Sequence, residues 1–129
     1  LVNGDKHQLL RIYGNMGLTY KLLGNFELAL DYFQSALDYS IELGDKRNEC
    51  IGLEHLGNCY ICLHDYPKSL PYLEKSLQIA NDMDLAIAKV NVYFDYGSIA
   101  SHNQDYSEAK QYWQLSLEKS IEINSGATG

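Results

Sequence analysis

The chain repeats itself every 40 residues, and this repeat limits the folds open to it more than any other feature. Gly4-Asp5-Lys6 returns as Gly44-Asp45-Lys46. Tyr13, Met16, Gly17 and Tyr20 return as Leu53, Leu56, Gly57 and Tyr60, and then as Tyr93, Tyr96, Gly97 and Ala100. Phe26, Ala29, Phe33 and Ala36 return as Tyr66, Ser69, Leu73 and Ser76, and again as Tyr106, Ala109, Trp113 and Ser116. Three copies fit without a gap, at 4–43, 44–83 and 84–123. A unit of this length is a small supersecondary element that cannot bury its apolar face alone, so neighbouring units stack into one continuous core.

Inside each copy, apolar or small residues recur at offsets of three and four, the signature of a one-faced α-helix. The spacing predicts an all-α chain of six helices, near 5–23, 26–43, 45–63, 66–82, 85–102 and 106–123. Asn25, Asp65 and Asp105 stand where the second helix of each copy needs an N-cap, and Glu108 completes an acidic capping box with Asp105. Pro67 suits the first turn, whereas Pro71 lies one turn further in and removes a backbone hydrogen bond, which predicts a distorted start to that helix. The short break between the two helices makes them antiparallel neighbours. Gly17, Gly57 and Gly97 sit in the apolar face of the first helix, where glycine costs about 1 kcal/mol relative to alanine. Close approach of the partner helix, with its large aromatic over the glycine, is the expected compensation. One domain, 1–124, is expected, and the small polar segment 125–129 reads as a flexible tail.

The formal net charge of -7 argues against a surface that tracks phosphates, so no nucleic-acid partner is expected. The apolar stretches fall short of the roughly 20 residues of a membrane span. No secretory signal is visible and the chain starts at Leu1, which reads as a piece of a longer protein. Three cysteines without such a signal point to a reducing, cytoplasmic setting.

With bulky-x-x-(Met/Leu)-Gly-x-x-Tyr on the first helix and Ala-x-x-x-(aromatic)-x-x-Ala on the second, the copies resemble the tetratricopeptide repeat. Tyr13, Met16-Gly17, Tyr20, Ala29, Phe33 and Ala36 carry the match in the first copy, and the resemblance covers 4–123. Two features depart from the family pattern. The usual period is about 34 residues, and the proline that closes the repeat is replaced near Ile41, Asn81 and Ile121. The longer period resembles Pins-type spindle-orientation scaffolds, kinesin light chains and bacterial peptide-sensing regulators, with Leu23-Gly24-Asn25-Phe26 and Leu56-Gly57-Asn58 most similar to the Pins-type group. The resemblance implies a solenoid of three helix hairpins in a right-handed superhelix, with no enzymatic activity and no cofactor.

Two clusters have the residue types of chemistry. His55, Cys59 and Cys62 share one side of a helix, but a structural zinc site needs four ligands and no second pair is present, so no metal is expected. Asp95, Ser98 and His102 lie on one face at spacings of three and four, yet a single helix offers no free backbone N–H for an oxyanion hole, so no catalytic residue is assigned. Tyr39, Tyr72 and Tyr112 fall outside the strongest core positions, as surface contacts or helix-to-helix packing.

The side of each first helix opposite its core residues should line a concave surface. Counted from the glycines, that side carries Gly14, Asn15 and Leu18, then Glu54, His55 and Asn58, then Phe94, Asp95 and Ser98, with Arg11, Ile51 and Asn91 one turn earlier. Arg11, Asn15, Leu18, Glu54, His55, Asn58, Asn91, Phe94, Asp95 and Ser98 are therefore the expected partner-binding residues. Family members that clamp a C-terminal carboxylate use Lys and Asn where this chain has Gly14 and Leu18, so the resemblance implies no such clamp. It also implies that Asn58 holds a peptide backbone through its amide. Arg11 with Glu54 and Asp95 suggests a ligand of mixed charge. The expected function is a scaffold that binds a peptide or helical segment of another protein. The alternatives are a structural spacer or self-association module, or a peptide-sensing regulatory domain. Leu115, Ile121 and Ile123 are expected as an apolar edge on the uncapped last helix, against which a neighbouring copy would self-associate or a next repeat of the parent protein would pack.

Overall fold

In the computed structural model, which describes residues 3–126, the chain forms α1 (Asn3–Leu22), α2 (Phe26–Glu42), α3 (Lys46–Cys62), α4 (Tyr66–Met83), α5 (Ala86–His102) and α6 (Tyr106–Ser125). These six are the only regular elements among the described residues. The ends fall within two residues of those expected from the sequence. Asn25, Asp65 and Asp105 cap α2, α4 and α6 by accepting the backbone N–H three residues on, and Asp45 does the same for α3. Helix α4 continues through Pro71. Ser125 ends α6 and Gly126 caps it in a left-handed conformation, while the rest of the expected tail, 127–129, lies outside the described residues. The hairpin turns keep one geometry in all three copies: Gly24, His64 and Gln104 sit at φ of 82°, 61° and 62°. Only the first copy has the residue that takes this conformation without steric cost.

Each hairpin is held by a short aromatic ladder and by one close approach. Tyr13 stacks on Tyr39 and Tyr20 on Tyr32, at centroid distances of 5.8 and 5.4 Å, so residues late in α1 meet residues early in α2. The helices are therefore antiparallel. Tyr72 stacks on Tyr60 at 5.7 Å and Tyr112 packs on Tyr96 at 5.3 Å, so Tyr39, Tyr72 and Tyr112 all serve helix-to-helix packing. The three glycines do what their place in the apolar face requires. A Cβ on Gly17 would come to 2.6 Å of the Phe33 ring, one on Gly57 to 2.7 Å of Leu73, and one on Gly97 to 2.4 Å of Trp113. Phe33 and Leu73 are fully buried and cannot swing aside. Gly17→Ala and Gly57→Ala are therefore expected to destabilise by roughly 1–3 kcal/mol by overpacking, outweighing the gain of about 1 kcal/mol in helix propensity. Urea titration of the two variants checks this, and a stability equal to or above the parent would refute it.

A second tie within the hairpins uses serine where the first copy has alanine. Ser76 Oγ donates to the Cys50 carbonyl and Ser116 Oγ to the Val90 carbonyl, both at 2.9 Å, and Ser69 Oγ donates to the Gly57 carbonyl at 2.7 Å. Buried hydroxyls are thereby satisfied on helix carbonyls of the neighbouring helix. Between copies, α3 lies on α2 and α5 on α4, with Gly52 against Leu37. One apolar cluster runs through these seams, from Ala29, Phe33 and Leu37 across Leu53 and Leu56 to Ile79, Ala80 and Ala88. A smaller cluster of Leu73, Val92 and Ile99 continues it toward α6. The chain is an all-α solenoid of three hairpins.

Candidate functional site

Placing α1, α3 and α5 side by side leaves their outer faces in a row, and this row contains two adjoining cavities. The first, of about 420 Å³, lies between α1 and α3. Arg11, Asn15 and Leu18 form one wall, Ile51 and His55 the other, and Phe33 of α2 reaches through to the floor. Gly14 leaves this wall open, since a Cβ there would meet nothing within 4 Å. Arg11 is exposed, with one guanidinium nitrogen 3.1 Å from the side-chain oxygen of Gln8. Asn15 is exposed and its side chain makes no hydrogen bond within the described residues. His55 stacks on the Phe33 ring at 4.7 Å, and burial pushes its pKa below the usual histidine value against the opposing effect of Glu54. Its Nδ1 is buried without a hydrogen-bond partner. The first cavity thus has an apolar floor, one cationic corner and one uncommitted polar group, the Asn15 amide, since His55 Nδ1 is turned inward 3.7 Å from Glu54 Oε1.

The second cavity, of about 380 Å³, lies between α3 and α5. It shares Ile51 and His55 with the first and adds Arg47, Glu54, Ile87 and Asn91. Arg47 and Ile87 were missed in the sequence. Each lies one turn before a residue that was counted, Ile51 and Asn91 respectively, so extending the same face by four residues would have found them. Ile123 also lines this cavity and is only half-exposed, so it leaves the apolar edge expected on α6.

Glu54, Asn58 and Asp95 differ from the expectation that they stand free in the groove. Glu54 and Asp95 are buried, because α5 packs directly on α3 at this level. Asn58 Nδ2 donates to Asp95 Oδ1 at 2.9 Å, so one amide donor is spent inside the seam. Asp95 Oδ2 is buried opposite the Glu54 carboxyl without a hydrogen bond of ordinary geometry. Burial first, then the contact with Glu54 and its charge, raise the Asp95 pKa far above the carboxylate range, while Asn58 and Lys21 act in the opposite direction. The seam therefore favours the neutral form of Asp95, which is also too buried to meet a ligand. Phe94 is exposed but points to the C-terminal end, where its ring lies 6.2 Å from Trp113 and its carbonyl accepts from Trp113 Nε1. Ser98 is half-buried and donates to the Phe94 carbonyl at 3.1 Å. Of the ten expected contacts, Arg11, Asn15, Leu18, Glu54, His55 and Asn91 line the two cavities.

The tetratricopeptide-repeat family model matches residues 10–40, which carry the Tyr13–Gly17–Tyr20 and Ala29–Phe33–Ala36 patterns. The match lies within the first hairpin, and the other two copies repeat its pattern. It is similar to the 43 kDa receptor-associated protein of the synapse from Gallus gallus, with 37% identity over 68 residues. That alignment takes in 53% of this chain and only 16% of the relative. The fold is similar to the crystal structure of the TPR domain of Arabidopsis FLU, with a TM-score of 0.72 over 88% of this chain and 96% of that one, at 19% identity.

The structure separates the residues that could have been read as chemistry. Asp95 faces Asn58, Ser98 binds its own helix, and His102 stacks on Tyr66 at 4.0 Å. Cys50 and Cys59 are buried, and burial pushes the Cys59 thiol up to about 11. Cys62 lies beside Asn58 Oδ1 at 3.9 Å. No group of three or more His, Cys, Asp or Glu residues that could hold a metal ion occurs among the described residues. None of the described helices is long and apolar enough to cross a membrane.

Proposed function

We propose that the chain holds a peptide or helical segment of a partner protein in the groove formed by α1, α3 and α5. The observation that carries this reading is the pair of adjoining cavities with a shared wall of Ile51 and His55. Together they make a continuous apolar trough whose polar groups are few and spaced along it. Arg11 and Arg47 mark two cationic points on its rim, so the favoured ligand presents acidic groups flanking an apolar anchor over Phe33. Asn58 is a poor probe of this site, because truncating it also removes the donor to buried Asp95. Arg11, Asn15 and Leu18 are clean probes, since all three are exposed. Peptides selected from a displayed library on the parent protein should bind Arg11→Glu and Leu18→Asp at least tenfold more weakly, with melting temperatures unchanged. Selected peptides that bind both variants as tightly as the parent would exclude the groove as the site.

A further inference from the structure

Helix α3 buries two acidic side chains, and only one of them has a cation beside it. Glu49 is 5% exposed and its carboxyl oxygens lie 3.3 Å from Lys46 Nζ and 3.9 Å from Lys75 Nζ. Glu54 is 7% exposed, yet among the described residues no lysine or arginine forms an ion pair with it. The basic atom beside it is His55 Nδ1, at 3.7 Å, and burial there favours the neutral imidazole. Lys21 of α1 influences this seam only from beyond ion-pair distance. Behind Glu54 the Asp95 carboxyl, 2% exposed, leaves Oδ2 without a hydrogen bond. A charge withdrawn from water is costly unless it is paired, and buried acids are as a rule found with a cation. Both acids border a hollow. Lys46 and Lys75 stand in the wall beside Glu49. The hollow beside Glu54 is the second groove cavity, of about 380 Å³, where Ile51, Ile87, His55 and Asn91 stand instead.

We propose that the second cavity takes a lysine or arginine side chain of the bound partner segment, its cation against Glu54 and its methylene stem between Ile51 and Ile87. This rests on the groove reading above and adds the chemistry of one subsite. Ile51 and Ile87 are 41% and 68% exposed, an apolar lining that suits the stem of a long basic side chain. A cation that meets a carboxylate shielded from water forms a charge-assisted hydrogen bond stronger than a neutral one. Arg47 lies two turns before Glu54 on the same helix and lines the same cavity. It repels a cation from its own end and attracts an acidic group there, so the two charges fix the direction in which the segment lies.

Peptides selected from a displayed library on the parent protein test this from both sides of the contact. They should share a lysine or arginine next to the apolar anchor, and exchanging it for methionine should weaken binding to the parent at least tenfold. Glu54→Gln should weaken the unmodified peptides by a similar factor and leave the methionine peptides unaffected, since each change removes the same contact. The peptide exchange alters nothing in the protein, so it decides the matter even if Glu54→Gln does not fold. Peptides that need Arg11 and Leu18 but have no required basic residue, or that bind folded Glu54→Gln as tightly as the parent, overturn the subsite and leave the groove reading standing. Peptides insensitive to both Arg11→Glu and Leu18→Asp overturn the groove reading, and the subsite falls with it.

Discussion

Replacing Phe33 with alanine is expected to lower the free energy of unfolding by roughly 3–5 kcal/mol, the largest loss from any single truncation of the first hairpin. Phe33 lies over Gly17, where a side chain on α1 would collide with its ring. It belongs to the apolar cluster that joins α2 to α3, and its ring supports His55 at 4.7 Å. It also forms the floor of the first cavity. Removing it leaves the glycine facing a void, because no neighbouring side chain can fill a space designed around a planar ring. Phe33→Leu should cost only about 1 kcal/mol, since the second copy has Leu73 at the same place over Gly57. Urea unfolding of both variants measures the difference. Equal losses from Phe33→Leu and Phe33→Ala would mean that ring stacking on His55, rather than volume, sets the stability here. Partner binding should weaken in Phe33→Ala even at temperatures where the variant is fully folded, because the trough loses its floor.

The hairpins were readable from the sequence because their determinants are local. Gly17 followed sixteen residues later by Phe33, and the same pair at Gly57 and Leu73, could be recognised from spacing alone, and the structure places each side chain over its glycine. The caps at Asn25, Asp65 and Asp105 depend on a few adjacent residues and were equally visible. Trp113 was a subtler case. Its repeat position marks it as core, but a core position is buried only when a next helix covers it, and none of the described helices lies over Trp113 on that side.

The groove was readable only in part, because helical periodicity assigns a residue to a face but cannot say whether a neighbouring helix closes over that face. At α1 and α3 the faces stay apart, helped by the missing side chain of Gly14. At α3 and α5 the same faces meet, and Glu54 and Asp95 disappear between them. The two residues occupy different positions relative to their glycines, three before Gly57 and two before Gly97, and these point to opposite sides of the seam that joins them. Spacing within one helix could not reveal that they face each other. The serine ties were hidden for a related reason. Ser76 and Ser116 replace a repeat alanine, and only the packed structure shows the carbonyls of Cys50 and Val90 within reach.

Asp95→Asn is expected to stabilise the protein at neutral pH by about 2 kcal/mol. Burial and the neighbouring Glu54 carboxyl hold Asp95 protonated in the folded chain, whereas the unfolded chain ionises it with a pKa near 3.9. Between that value and the raised folded value the folded state binds one more proton than the unfolded state. Stability therefore falls as pH rises through this window. Asparagine is neutral at every pH and removes this loss. Its carbonyl can still accept from Asn58 Nδ2, as Asp95 Oδ1 does at 2.9 Å, and its amide presents a donor to the Glu54 carboxyl where Asp95 Oδ2 now has no hydrogen bond. The gain should raise the melting temperature by roughly 5–10 °C at pH 7, narrow steadily on acidification, and be nearly gone at pH 4, where the unfolded chain is about half protonated at this residue. Lys21 belongs in the comparison, since its charge partly offsets that of Glu54 at this site. Lys21→Gln in the parent should extend the fall to higher pH without steepening it, and in the Asp95→Asn background it should leave the profile nearly flat. Thermal unfolding of the four proteins from pH 4 to 8 checks the sign. A variant less stable than the parent at pH 7 would show that Asp95 is ionised in the folded seam and that its charge is held there by Asn58 and Lys21.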